Sequence, residues 1–597
     1  MATKHFFPKQ EGLVVTALKG LAAANPSLAV LEHDKVIFTK DHDSNKVAVL
    51  SGGGSGHEPG HAGFVGKGML AASVCGDVFA SPNTKQIKAG CNAVRSDEGY
   101  IFVVTNYTGD MLHFGLACEQ LRAAGHKAGI IVSADDVSVG RKHGGLVGRR
   151  GLSGTIYLDK IAGAAADAGL PFEDVLEFGQ NAALNVVTIN AGLDHCHIPG
   201  HEADEDYGRL TQTQCEIGLG IHNEPGVKML DHIPPVEELV ELLLKHLLDP
   251  NDEDRAFVKF NPKDKVALMI GNLGGVSAIE QFAFTEVALQ KLKTVYNIVP
   301  SRVFSGQFMT SLNAPILSIT LVNITQSATA KVPESRVFEF LDKPTQSTAW
   351  TVNHYHTQDP VDLSARIASP NAPHVKTDTS SGDVKLDPTE LEQKLRAAAR
   401  NVIAAEPDLT EWDTKMGDGD CGKTLESGSN GLLRALDQGL AKSGSLLQVL
   451  ETVVEITEDQ MGGTLGAIFA IYLSSFAAAV RNEVSQARKA GNTEVEPSKI
   501  LADAANDALK HLRHHTPASE GDRTVMDVLI PFCRSLANGS SLKEAEKVAN
   551  KAAEGTRHIK PKLGRATYVG GVHEMSILPP DPGAWGLYEI IRGLALN

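Results

Sequence analysis

Short runs of β-branched and aromatic residues alternate with helix-period stretches through the first part of the chain. Lys46–Leu50 (KVAVL), Tyr100–Thr105 (YIFVVT) and Gly129–Ser133 (GIIVS) end in polar or glycine-bearing turns and read as strands. Met111–Ala124 lies between two of them with a helical pattern. Such alternation predicts an α/β fold with parallel sheets. KVAVLSGGGSG at 46–56 is faintly echoed by KVALMIGNLGG at 265–275, each reading as a strand followed by a glycine-rich turn. The echo predicts two α/β lobes within residues 1–357.

The pattern changes after residue 357. Residues 358–387 are rich in Pro, Ser, Thr and Asp with little apolar periodicity, and read as a flexible linker. Such a segment can stretch to about 100 Å and averages about 30 Å as a coil, enough to bring the second domain to its own first domain or to a neighbour's. Thr389–Ala405, Leu446–Asp459, Met461–Val480, Pro497–His511 and Leu542–Glu554 then read as helices with no convincing strand. Residues 388–597 are therefore predicted to be all-α. Met461–Val480 has no charge and is long enough to span a bilayer. It is solitary, opens on glycines and is rich in Ser and Ala, so a helix buried in a bundle is the expectation.

Charge narrows the partners. With 56 Lys plus Arg against 72 Asp plus Glu, the net charge of the 597 residues is −16. An acidic surface disfavours nucleic acid and anionic membrane. The start, MATKHFFPKQEGL, shows no secretory signal, and seven scattered cysteines without CxxC point to a reduced, cytoplasmic setting.

Two motif matches fail on physical grounds. His57-Glu58-Pro59-Gly60-His61 fits HExxH, but Pro59 and Gly60 disfavour the helix that would put both imidazoles on one zinc ion. Residues 417–424 fit the P-loop pattern, yet no apolar strand precedes them and two aspartates inside the loop would repel phosphate. Asp413, Asp418 and Asp420 instead offer three hard oxygen ligands on a glycine-bearing turn, suited to Mg²⁺ that in turn holds nucleotide phosphates.

Other constellations surround these. The Ser51–Glu58 segment follows a predicted strand and presents His57; Asp110, in NYTGD, ends the next strand. A histidine and a carboxylate converging there suit general acid–base work. His222 lies between glycines in GLGIHNEPG. His195, Cys196 and His197 resemble a soft-metal cluster, while His511, His514 and His515 read as a solvated helix end. Gly462–Gly466 opens the apolar helix, whose N–H groups and dipole suit a phosphate. Arg523, in GDRT, and the DPGA turn at Asp581 add polar groups, Arg523 as a phosphate clamp.

SGGGSGHEP, NYTGD, GLGIHNEPG, DGDCG, MGGTLGA, GDRT and DPGA, in that order over nearly the whole chain, resemble the ATP-dependent dihydroxyacetone kinases (glycerone kinases, triokinases). The resemblance implies a substrate-binding domain of two α/β lobes and an eight-helix barrel holding ATP with Mg²⁺, in a homodimer. By resemblance, His222 forms a hemiaminal with the substrate carbonyl, so that glycerol is rejected by reactivity rather than shape. Gly54, Ser55, Gly56 and His57 match the substrate loop, and Asp110 the base on the hydroxyl to be phosphorylated. Asp413, Asp418 and Asp420 match the metal ligands. Asp418 to Cys421, Thr464, Leu465, Arg523, Thr524 and Asp581, Pro582 and Gly583 fall in the nucleotide motifs. Thr105 departs from the family, many members of which carry a substrate-contacting lysine there. The expected reaction is phosphorylation of dihydroxyacetone, with glyceraldehyde as a second substrate. FAD cyclisation and a catalytically weak carbonyl-binding or regulatory protein are the alternatives.

Overall fold

The computed structural model describes residues 4–142, 147–201, 210–350, 357–361, 382–489, 496–563 and 578–596. The chain forms two units, Met1–Ser369 and Pro370–Asn597.

The first unit contains two six-stranded sheets. In chain order the first holds β1 (Leu28–Leu31), β2 (Val36–Thr39), β3 (Ala48–Ser55), β4 (Ala72–Val78), β5 (Tyr100–Thr105) and β6 (Ala128–Ser133). The second holds β7 (Val186–Gly192), β8 (Cys215–Ile217), β9 (Lys228–Leu230), β10 (Val266–Asn272), β11 (Arg302–Gly306) and β12 (Ile316–Asn323). The first sheet runs β1-β2-β4-β3-β5-β6 and the second β11-β10-β12-β7-β8-β9. The echoed segments become β3 and β10, one inside each sheet, so the two lobes are present.

The expectation of parallel sheets holds only in part. β4, β3, β5 and β6 are parallel, but β1 and β2 join antiparallel. In the second sheet only β10 and β11 pair in parallel; β12 runs antiparallel between β10 and β7, and β8 and β9 form an antiparallel pair. Only Glu32–Lys35 separate β1 from β2, too few residues for a helical crossover, so these two pair antiparallel.

The glycine-rich segment after KVAVL is not a turn. β3 continues through Ser51-Gly52-Gly53-Gly54 to Ser55, with an irregularity between Gly53 and Ser55. The glycines admit the neighbouring chain: a Cβ on Gly52 would lie 2.2 Å from the Val74 carbonyl oxygen, and one on Gly54 2.8 Å from the Ala80 nitrogen. β3 thus ends close against the β4–Ala80 backbone.

Helix Gly154–Asp167 is buried from Gly154 to Ala166 and contacts both β3 and β7. Its small residues allow that: a Cβ on Gly163 would sit 2.1 Å from the Met69 carbonyl. Around it the largest apolar cluster packs Phe64, Tyr157, Phe178 and Phe340.

The second unit has eight α-helices among the described residues, beginning at Pro388–Met416 and ending at Pro582–Leu594. Consecutive helices pack side by side, and the last packs on the first, closing a barrel. Residues 382–387, expected in the linker, already belong to this unit: Val384 is buried, and Leu386 N–H donates to the Gly444 carbonyl. Gly463–Lys489 is long and apolar enough to cross a membrane. Here it packs on Leu446–Gln460 and Pro497–Leu512, and its Phe469, Tyr472 and Phe476 line an apolar interior cavity of about 510 Å³.

Candidate active site

In the first unit the ends of β3, β5 and β8 converge. His57 follows β3, and its Nδ1 lies 2.8 Å from the Thr310 carbonyl oxygen. That acceptor requires Nδ1 to carry the proton, leaving Nε2 as an acceptor. His57 Nε2 lies 3.1 Å from His222 Nε2, so the shared proton starts on His222. Burial, helped by the charge on His222, pushes His57 down to about 3. His57 is therefore neutral, and its Nε2 lone pair faces His222 Nε2.

Glu224 fixes the other side of His222. Its Oε1 is 3.3 Å from His222 Nδ1 and its Oε2 accepts the His222 backbone N–H at 2.9 Å. Burial would raise the Glu224 carboxyl, but hydrogen bonding and the charge of His222 outweigh it and hold Glu224 at about 2. Phe79 stacks on His57 at 5.1 Å, and Phe79 and Tyr107 meet the His222 ring edge-on at 5.1 and 4.8 Å. The His222 ring is thus walled by aromatic side chains, with the His222 side chain 24% exposed.

Asp110 lies in the first turn of helix Thr108–Ala123, where the helix dipole favours a carboxylate. Its oxygens approach to 3.6 and 3.7 Å of where a Gly53 side chain would begin. Thr105 Oγ1 donates to Oδ2 at 3.3 Å, and Oδ1 is buried without a hydrogen bond. Burial pushes Asp110 above the ordinary carboxylate range against the pull of Ser81, Thr105, His61 and His222. In the expected substrate loop, Gly54 and Gly56 contribute close backbone, whereas the Ser55 hydroxyl is spent on the Gly76 carbonyl at 2.9 Å.

The HExxH residues separate. They form turns rather than a helix, and His61 bonds to Asp159 instead of facing His57's partner. The DHCH stretch is a brace: Asn223, beside His222, accepts from Cys196 N–H and donates to its carbonyl, both at 3.0 Å. Among the described residues the three-ligand hard-metal cluster is Asp413, Asp418 and Asp420, and no such cluster includes His195 or His197.

In the second unit those three aspartates offer oxygen atoms all within 4.8 Å of one another. Asp413 lies in the last turn of helix Pro388–Met416, Asp420 stands at the N-cap position of helix Cys421–Asp437 without a side-chain capping bond, and Gly419 between them takes φ 80°. Cys421 N–H donates to Asp413 Oδ2 at 3.0 Å, tying the two helix ends. A hard donor set on a tight turn fits Mg²⁺. The segment before the P-loop match is a helix end, so the strand that a P-loop requires is missing.

The other nucleotide candidates lie close by. Asp581, Pro582 and Gly583 were read as a turn, but Asp581 caps helix Pro582–Leu594 by accepting Ala584 N–H at 2.8 Å. Gly583 lies against Leu465, 3.7 Å from its δ-methyl to an added Cβ. Burial, augmented by Asp527 and Asp413, pushes Asp581 up to about 6. Arg523, expected as a clamp, is 2% exposed; it donates to the Pro579 carbonyl at 2.8 Å and approaches Asp581 at 3.9 Å, with Nε unpartnered. It braces the turn around Asp581. Thr464 is exposed in the first turn of Gly463–Lys489, and Thr524 N–H is taken by Asp527 at 2.7 Å.

Comparison with known proteins covers both units. A Dak1 domain model matches residues 19–349 and a DAK2 domain model residues 415–596. A dihydroxyacetone kinase of Pichia angusta is 41% identical over 100% of this chain and 98% of its own. The chain belongs to the dihydroxyacetone kinase family. Its relatives in that family include a triokinase/FMN cyclase of Rattus norvegicus, 33% identical over 100% of this chain and 98% of the relative. The dihydroxyacetone kinase of C. freundii, solved with AMP-PNP and Mg²⁺, superposes with a TM-score of 0.63 at 28% identity, covering 100% of this chain and 99% of that one. Within this dihydroxyacetone kinase family chain, sequence reasoning missed Glu224, although it stands in the quoted GLGIHNEPG motif. A carboxylate two residues from a loop histidine was the available signal.

Proposed function

We propose that the protein transfers the γ-phosphoryl of ATP to dihydroxyacetone, and to glyceraldehyde, in a reduced cytoplasmic compartment consistent with its free cysteines. The observation that carries this reading is the 3.1 Å contact between His57 Nε2 and His222 Nε2, with Glu224 behind it and Asp110 in the same pocket. His57 takes the Nε2 proton of His222, leaving a lone pair held in line by the Nδ1–Glu224 contact. That lone pair attacks the substrate carbonyl carbon, and the carbonyl oxygen takes the proton back from His57. The N–H has then added across C=O, and the substrate is tethered. Asp110 accepts the proton of the free hydroxyl as the hydroxyl oxygen bonds to the γ-phosphorus of ATP and the bond from that phosphorus to the β,γ-bridging oxygen breaks, releasing ADP.

Asp413, Asp418 and Asp420 would hold Mg²⁺, which supplies charge neutralisation at the nucleotide phosphates. Asp581, Leu465 and the first turn of Gly463–Lys489 supply the adjoining nucleotide surface. Thr105, in place of lysine, contributes a hydroxyl to Asp110 and no charge to the transferred phosphoryl.

An assay coupling ADP formation to a reporter tests the reading. ADP should form with dihydroxyacetone and ATP and not with glycerol, which has no carbonyl to capture. Equal turnover of both, or of neither, would overturn it. The full-length resemblance to a triokinase/FMN cyclase favours a second activity: conversion of FAD to AMP and cyclic FMN, detectable by chromatography of both products.

A further inference from the structure

Arg150 stands in the connection between β6 and helix Gly154–Asp167, outside every motif read from the sequence. Its mostly buried guanidinium is anchored on one side: Nε donates to Asp136 Oδ2 at 2.7 Å and Nη2 to Ser138 Oγ at 2.9 Å. Asp136 is fixed in turn, since its Oδ1 accepts Ser138 N–H at 2.9 Å. From this anchor Nη2 also donates to the Gly218 carbonyl at 2.8 Å. Gly218 opens the GLGIHNEPG segment that carries His222 and Glu224. A planar guanidinium can make these bonds together and keeps its charge when buried. Arg149 takes no part, because its guanidinium lies over the Phe257 ring, 4.0 Å from the centroid.

The remaining nitrogen of Arg150 faces Glu224. A Cβ on Gly220 would lie 1.9 Å from Glu224 Oε2 and 2.6 Å from Arg150 Nη1. The carboxylate and the guanidinium therefore confront each other across the space that this glycine leaves empty, where opposite charges attract. The same carboxylate accepts the His222 backbone N–H at 2.9 Å through Oε2 and lies 3.3 Å from His222 Nδ1 through Oε1. It is partly exposed, so without a fixed charge behind it the group is free to turn to water and release the ring. Two other bonds hold the loop by its backbone: Ser311 Oγ donates to the Ile221 carbonyl at 2.7 Å and Gly220 N–H to the Glu224 carbonyl at 3.0 Å. Neither donates to the Glu224 carboxylate.

We propose that Arg150 is a positioning residue for carbonyl capture: anchored by Asp136 and Ser138, it holds the His222 loop at the Gly218 carbonyl and keeps the Glu224 carboxylate turned on to His222. Residue 220 is a glycine because a side chain there would part the guanidinium from the carboxylate. The proposal rests on His222 being the nucleophile. Arg150 acts on that nucleophile through Glu224 and the loop, and touches neither substrate nor phosphate.

The test uses full-length protein and dihydroxyacetone labelled with ¹³C at its carbonyl, in wild type, Gly220→Ala, Arg150→Gln, Arg150→Lys, Glu224→Gln, the Arg150→Gln/Glu224→Gln double variant and His222→Ala. Gly220 does not take a positive φ, and its added methyl meets the ends of two flexible side chains rather than backbone. Gly220→Ala should therefore keep the wild-type melting temperature. Its tetrahedral carbon signal should give way to that of a bound ketone, and kcat/KM should fall by about 10²-fold, as for a displaced reacting group. Arg150→Gln should do the same, and Arg150→Lys, which keeps the charge without the fork, should recover part of the loss. Residues that act as one unit give non-additive losses, so the double variant should lose little more than Glu224→Gln alone.

Wild-type adduct and kcat/KM in folded Gly220→Ala or Arg150→Gln would overturn the proposal, as would fully additive losses in the double variant. Loss of both bound signals together with a lowered melting temperature would mark a merely structural role and overturn it too. If Arg150→Gln fails to fold, Gly220→Ala decides alone. Absence of a tetrahedral signal in wild type, or its persistence in His222→Ala, removes the nucleophile reading itself. A tetrahedral signal that needs His222 but is indifferent to Gly220→Ala and Arg150→Gln removes only the present inference.

Discussion

His222 Nδ1 lies 3.3 Å from Glu224 Oε1 while its Nε2 lies 3.1 Å from His57 Nε2, so the ring is held between a carboxylate and a neutral base. The first contact fixes which nitrogen is nucleophilic and the second removes its proton. Glu224→Gln keeps the shape but loses the charge that balances the ring. Its kcat/KM for dihydroxyacetone should fall by about 10²-fold or more, with ATP affinity of the second unit unchanged by calorimetry. An unchanged kcat/KM would show that Glu224 does not orient the histidine.

The aspartate triad should set the metal requirement. Asp420→Asn, which leaves the Cys421–Asp413 link intact, should raise the Mg²⁺ concentration needed for half-maximal rate by about tenfold or more, by loss of one of three charged ligands. Asp413→Asn should do the same and also lower the melting temperature, because Asp413 ties two helix ends. Both effects are read from Mg²⁺ titrations of the rate and from thermal melts. No change in either variant's titration would place the ion elsewhere.

Asp581 should make the stability of the metal-free second unit depend on pH. Its folded pKa is raised to about 6, above the ordinary value of about 4 in the unfolded chain. The native state therefore binds the proton more tightly, and stability falls as pH rises from about 4 through about 6. Asp581→Asn keeps a capping side chain and removes the buried charge. It should flatten that slope and stabilise the protein at pH 7 by about 1–3 kcal/mol, as measured by denaturant titration. A slope equal to wild type would contradict the assignment.

Gly52 tests the packing of β3. A methyl group there would lie 2.2 Å from the Val74 carbonyl, with backbone on both sides of the clash. Gly52→Ala should destabilise the first unit by about 3 kcal/mol, visible as a lower melting temperature. Gly169→Ala, where nothing lies within 4 Å of the added methyl but φ is 80°, should cost about 1 kcal/mol.

Much of this was legible in the sequence because glycine and polar residues gather where strands end. β5 was read at its observed bounds, Tyr100–Thr105, and β6 within one residue. β3 was cut short because glycine ordinarily interrupts a strand; here its missing side chain admits a neighbouring backbone, and nothing local records that neighbour. Asp581 read as a turn for a related reason, since an N-cap and a turn share Asp, Pro and Gly. Helices Cys421–Asp437, Met526–Ala537 and Pro582–Leu594 were missed; the first opens inside the polar aspartate turn, the second contains Pro531 and the third opens on the Asp581 turn. His57, Asp110 and His222 were found as motif residues. Their union depends on Thr310, Glu224 and the bend of the chain around β3.

Carbonyl capture by His222 is tested most directly by the ¹³C NMR spectrum of dihydroxyacetone labelled at its carbonyl carbon and mixed with the full-length protein. With wild type, the bound carbon should leave the ketone region and appear at the position of a tetrahedral carbon bearing oxygen and nitrogen. With His222→Ala it should not, and phosphorylation should fall in parallel. A bound ketone signal in wild type, or a tetrahedral signal that persists in His222→Ala, would contradict the account.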